Sequence, residues 1–256
     1  MPLDEATLQG LDARGYEVID LLTPGGRQSA TYSNTNTFIG VDGRTYWVKA
    51  TAQHGLVAEL VAGRLAARLQ AGPITRIVRV PQEALRPGGG AAHLLGIGVG
   101  SEDASDTMNT KDMQQLLGPG AFDPNSVDAR SRTLVTAFRS WIGVGDPQLL
   151  VNLKDGTVFS IDHGDCFGDV SAFDDPVINV TPIPTVDDAV GKDEFCVRAA
   201  VRRVKEISDP TILECVSRVP LGGAWQSEPS RRLDIARWLV HRRDRMEEVM
   251  NAWLTS

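Results

Sequence analysis

The residues of this chain best suited to chemistry lie in one stretch, WIGVGDPQLLVNLKDGTVFSIDHGDCF, residues 141–167. Residues 149–153 and 157–161 are β-rich runs joined by Lys154-Asp155-Gly156. An Asp-Gly pair between such runs predicts a hairpin, because glycine accepts a positive φ at no steric cost. Pairing the runs brings their outer ends to one edge. One end carries Asp146 and Gln148; the other carries Asp162, His163 and Asp165. Carboxylates that converge at strand ends repel unless a proton or a cation sits between them. The arrangement therefore predicts a divalent-cation site at this edge.

The elements that must hold this edge follow from periodicity. Residues 16–22 and 35–41 are β-type runs, the first leading into a Gly-rich turn that holds Gly25, Gly26, Arg27 and Ser29. Asp42-Gly43 predicts a second hairpin, and RTYWVKA, residues 44–50, is a strand with Tyr46 and Val48 on one face and Trp47 and Lys49 on the other. Residues 55–70, GLVAELVAGRLAARLQ, are rich in strong helix formers and end at Gly72-Pro73. Glu59 sits beside the apolar face of that helix, which calls for a partner. A strand is expected over residues 74–80 and an apolar run over 93–99. The polar stretch 101–111 reads as a connection between lobes. Helices are expected over 112–117, 126–141, 193–207 and 211–218, and one long helix over 230–254 with Ser227 or Ser230 as N-cap. Three prolines make residues 173–185 a loop. The predicted fold is α+β and two-lobed: residues 1–100 form a small, twisted antiparallel β lobe, and 101–256 a mainly helical lobe with the hairpin 146–167.

A Gly-rich turn, a strand lysine, a helix glutamate ten residues on and a distal acidic hairpin are the parts, in the order, that protein kinases use for phosphoryl transfer. The lysine offsets phosphate charge, the glutamate holds the lysine, one aspartate holds magnesium and another orients the acceptor hydroxyl. The spans WVKA, GLVAELVAGRLAARL, FRSWIGVGDPQLLV, SIDHGDCF, RVPLGGAW and LVHRRDRM resemble the HipA-like kinases, distant relatives of the type II phosphatidylinositol 4-kinases. The resemblance runs from about Tyr16 to about Met250 and is most specific at IDHG. It implies ATP and magnesium as cofactors, Lys49 as phosphate lysine, Glu59 as its partner, Asp146 as catalytic-loop aspartate and Asp162 as metal ligand. Gly26, Arg27 and Ser29 are candidates for phosphate contacts. One departure stands out: kinase catalytic loops place Asn five residues after the catalytic Asp, whereas here Gln148 follows Asp146 by only two. The loop is shortened: either Gln148 supplies the second metal-ligand oxygen in a compact loop, or the chain is a non-catalytic, pseudokinase-like nucleotide-binding module.

A metal-dependent phosphoesterase is a rival reading of Asp162, His163 and Asp165, but a two-metal centre needs more ligands than this stretch offers. His163 reads as structural, and Asp165 as a metal assistant or a turn cap. No run of eighteen apolar residues is present to span a membrane. A net charge of −7 argues against a general nucleic-acid binder. The nucleotide's partner is then a hydroxyl acceptor, protein or small molecule. Cys166, Cys196 and Cys215 have no metal-ligand spacing and read as buried thiols of a cytoplasmic protein.

Overall fold

Five strands close on themselves before the first half of the chain is over. In the computed structural model they are β1 (Ile19–Gln28), β2 (Asn36–Gly40), β3 (Thr45–Val48), β4 (Thr75–Val80) and β5 (Gly96–Glu102). The structure describes residues 2–28, 36–48, 55–85, 94–118, 123, 126–144, 148–167, 193–221, 225 and 227–255, with the side chains of Arg27, Gln28 and Leu117 excepted. Ser29, Lys49, Asp146 and the loop 173–185 lie outside the described residues.

Around the barrel the strand order is β1-β2-β3-β5-β4, and β1 meets β4 in parallel, Ile19 opposite Val78. The expected open antiparallel sheet is thus a closed barrel. A parallel pair needs a crossover rather than a hairpin, and here the chain returns through α2 (Gly55–Leu69) before β4. Leu21, Phe38, Tyr46, Val48, Val78 and Val80 fill the interior. The Gly25-Gly26 pair does not make a turn between strands. It lies within β1, where the register against β2 slips between Pro24 and Gln28 and Gly26 takes φ +81°. A bulge of this kind uses glycine for the same reason a turn does.

α2 lies against the barrel at Gly63, where a Cβ would come within 2.1 Å of the Thr75 hydroxyl. Its apolar residues nevertheless belong to the larger core, together with Trp141, Leu213 and Leu239 of the helices that follow. Those helices are α3 (Thr110–Leu117), α4 (Ala129–Ile142), α5 (Glu194–Lys205), α6 (Asp209–Val216), α7 (Pro229–Asp244) and α8 (Met246–Thr255); α1 (Glu5–Asp12) precedes the barrel.

The polar stretch 101–111 is not a loose connection. It completes β5, then forms β6 (Thr107–Asn109), which pairs with the hairpin strand β7 (Leu149–Asn152), Thr107 opposite Asn152. The expected hairpin is present: β7 pairs with β8 (Val158–Ser160), Leu149 opposite Ser160. Its turn is held by the Asn152 carboxamide oxygen, which accepts from the Lys154 backbone N–H at 2.9 Å, and by the Asp155 carboxylate, which accepts from Thr157 N–H at 2.9 Å.

The single long C-terminal helix is two. The chain leaves α7 at Arg245, with φ −97° and ψ 5°, and restarts at Met246. The break lets Leu239 on one piece and Met246, Met250 and Trp253 on the other reach the same core. The N-cap of α7 is Glu228 rather than Ser227 or Ser230; the Ser227 hydroxyl instead donates to the Pro220 carbonyl at 2.6 Å.

Candidate functional site

Two helices and the hairpin converge where β8 ends. α4 begins at Asp128, whose carboxylate accepts from Ser131 N–H at 2.7 Å, and stops at Gly143 in the left-handed region, φ +69°. A left-handed glycine is a common helix C-terminus, and it turns the chain sharply toward the hairpin. On the way α4 buries Arg139 completely. One terminal nitrogen of Arg139 reaches the Gln148 carbonyl at 3.3 Å, the Ser160 hydroxyl at 3.2 Å and the Ile161 carbonyl at 3.4 Å. A single guanidinium thus ties the entry of β7 to the exit of β8.

Asp162 follows directly, with φ +63°. That conformation is rare for side chains other than Asn and Asp, and costs about 1 kcal/mol or more. Its carboxylate accepts a short hydrogen bond from the Gln148 side-chain amide. The Gln148 carboxamide oxygen in turn accepts from the Asn109 amide at 3.4 Å, and the Asn109 oxygen is held by Lys111 N–H at 2.8 Å. The order Lys111–Asn109–Gln148–Asp162 fixes the sense of each amide: the nitrogen of Gln148, not its oxygen, faces Asp162. Gln148 therefore orients the carboxylate, and would lend an oxygen to a cation only after its amide turns away from Asn109.

His163 is buried, and its ring nitrogen lies 2.8 Å from the Ser160 hydroxyl. The ring meets Phe138 of α4 edge-on, centroids 5.6 Å apart. This is the structural role expected of it. The backbone N–H of His163 donates to the Glu59 carboxylate at 2.7 Å. Glu59 is only 4% exposed, so a buried carboxylate receives a main-chain donor from a residue 104 positions along the chain. Cys166 adds a weak contact to the Ala58 carbonyl at 3.7 Å. Burial, and then the Glu59 charge, push the Cys166 thiol well above its ordinary value, so it stays protonated and inert. Asp165 is exposed.

Of the expected site residues, Glu59, Gln148 and Asp162 come together here. Gly26 and Arg27 lie on β1, Gly26 with open space where a Cβ would be. Ser29, Lys49, Asp146 and the Arg27 side chain are outside the described residues. Among the described residues no three His, Cys, Asp or Glu side chains gather as a metal cluster. The donors available here are hard oxygens, few in number, which suits a cation that keeps waters and takes phosphate oxygens, as magnesium does. Sequence reasoning missed Arg139, Ser160 and Asn109. Arg139 carried one signal, a lone charge inside the buried run TLVTAFRSWI.

No family model matches the chain, and no curated protein matches it. Among solved structures it is similar to the Helicobacter pylori proinflammatory kinase CtkA, with TM-score 0.58 and 13% identity over 93% of this chain and 98% of that one. Golgi casein kinase structures match with TM-scores of 0.36, at 13% identity over 95% of this chain and 76% of that one, and, with Mn/ADP bound, 0.37, at 10% identity over 94% and 75%. No helix among the described residues is long and apolar enough to cross a membrane. The similarity to the Helicobacter protein is one of fold, and the chain is a mixed helix-and-sheet protein with a kinase-like fold.

Proposed function

We propose that this chain is an ATP- and magnesium-dependent phosphotransferase, a HipA-like kinase acting on a hydroxyl acceptor, a protein serine or threonine being one class. The observation that carries the reading is the Glu59 carboxylate, on α2, bonded to the residue that follows Asp162. It sets the helix glutamate beside the candidate metal ligand, on a fold shared with a kinase. Magnesium, when bound, would neutralise phosphate charge and hold the γ-phosphoryl group in line. Asp162 would hold the cation; Gln148 orients Asp162; Lys49, steadied by Glu59, would bind the phosphates, with Gly26, Arg27 and Ser29 as further contacts. Asp146 takes the acceptor's proton as that oxygen bonds to the γ-phosphorus and the bridging bond to ADP breaks. The nucleotide lobe would end near residue 100, and the buried thiols suit the cytoplasm.

The Gln148 geometry supports a second reading. With its amide nitrogen facing Asp162, the shortened loop offers one ligand oxygen fewer than an active kinase needs, as in a nucleotide-binding module without transfer. Thermal shift with millimolar ATP and magnesium tests both, since a ligand that prefers the folded state raises the melting temperature. No shift sinks both readings; a shift without ADP formation or transfer to protein and small-molecule hydroxyls leaves the module.

A further inference from the structure

Away from the Glu59–Asp162 site, a cavity of about 440 Å³ opens between the start of β1, α2, β4 and α6. Four guanidiniums line it, Arg64, Arg68, Arg76 and Arg218, against two carboxylates, Glu17 and Glu214. A local excess of positive charge in a chain of net charge −7 calls for a reason.

Arg64 forms the floor. Its guanidinium donates to the carbonyls of Cys215, Ser217 and Arg218, at 2.9, 2.7 and 3.3 Å. Burial first, and then the like charges of Arg218 and Arg76, push it down to about 10. Like charges that face one cavity raise each other's cost, and an anion between them removes it. Arg68 reaches Glu214 at 3.4 Å and Arg76 reaches Glu102 at 3.6 Å, both partly exposed pairs that an incoming anion can outcompete. Arg218 is held with φ +52°, its N–H donating to the Asp12 carboxylate at 2.7 Å. Asp12 is itself clamped by the fully buried Arg232 at 2.9 and 2.7 Å. The Asp12–Arg232 network thus holds Arg218, which lines the cavity, in a conformation that non-glycine residues seldom adopt.

We propose that this cavity is a binding site for a small organic phosphate. The forked donors of arginine match phosphate oxygens in pairs. The volume falls in the range of about 300–1,000 Å³ typical of small-molecule sites and exceeds what a bare phosphate fills. Tyr16 and Ile74, each 41% exposed, supply the surface on which an organic body would pack.

The test is calorimetric titration of the full chain in EDTA, so that a cation-dependent nucleotide site is silent. Ribose 5-phosphate and glycerol 3-phosphate are the soluble probes; phosphatidylcholine vesicles doped with phosphatidic acid are the lipid arm. Binding of a soluble probe assigns the phosphate to a free metabolite, and binding of vesicles alone assigns it to a lipid headgroup. Either affinity should weaken about tenfold or more in the Arg76→Gln/Arg218→Gln double variant and stay unchanged in Asp162→Asn. Arg68→Gln, an exposed position, serves as the second variant if the double one loses its melting transition. Absence of binding in every arm, or full affinity in a folded arginine variant, overturns the proposal.

Discussion

The Glu59 carboxylate accepts the His163 backbone N–H at 2.7 Å, joining residues 104 positions apart. This bond makes the helix glutamate a clamp on the hairpin exit as well as a candidate partner for Lys49. The two duties separate by substitution. Glu59→Gln keeps an acceptor for His163 N–H and should lower stability by less than about 1 kcal/mol, yet remove the charge that steadies Lys49 and weaken Mg-ATP binding. Glu59→Ala leaves a buried donor unsatisfied and should cost about 1–3 kcal/mol in urea unfolding as well. Equal stabilities for the two variants would contradict the clamp.

Asp162→Asn should remove magnesium-dependent nucleotide binding while the fold persists. Asparagine tolerates the left-handed backbone that Asp162 adopts, and it can still meet the Gln148 amide after its own amide turns. Asp162→Ala has neither property and should also lose about 1–3 kcal/mol. Magnesium-dependent ATP binding is read by titration with and without EDTA.

Gln148→Glu would set a second carboxylate against Asp162 where an amide now donates. Like charges at contact raise the affinity of the pair for a proton or a cation. The variant should melt lower than the parent at neutral pH, recover toward the parent as pH falls into the carboxylate range, and show a larger rise with magnesium. A melting temperature indifferent to both would show that the two side chains do not face each other.

The Cys215 thiol is buried, and desolvation pushes it from 9.0 up to about 11, with the Arg64 charge acting in the opposite direction. A raised thiol value means that the folded state keeps its proton after the unfolded state has lost it. The stabilising difference is fully present below pH 9 and is lost as pH rises through about 11. Over that window Cys215 should account for roughly 2–3 kcal/mol of lost stability. Urea unfolding between pH 8 and pH 11 should fall less steeply for Cys215→Val than for the parent.

What could be read from the chain was local. Asp155-Gly156 announces the hairpin because the turn conformation is written in two adjacent residues. Glu59 announced itself as a charge on an apolar helix face, though its partner His163 offers only a backbone N–H, which has no residue signature. Arg139 escaped assignment for the same reason, since its partners include the Gln148 and Ile161 carbonyls. Barrel closure rests on Ile19 lying opposite Val78, a pairing between distant runs that periodicity along one run does not encode. β6 is three half-buried residues inside a polar stretch, too short to alternate visibly. The break at Arg245 carries neither glycine nor proline; it is imposed by packing of Leu239 and Met250 into one core.

α2 stands beside the barrel but is apolar partner to Trp141, Leu213 and Leu239, whereas Leu21, Phe38, Tyr46 and Val78 form an interior of their own. A helix that shares its buried surface with one core opens with that core. Ile77 of β4 and Val99 of β5 join the core of α2, so under native conditions the amides of α2 should exchange with deuterium at the pace of α4 and α7, while β1, β2 and β3 exchange sooner, as a separate cooperative unit. Folding would follow the same division, with Glu59 already seated on its helix before the barrel closes.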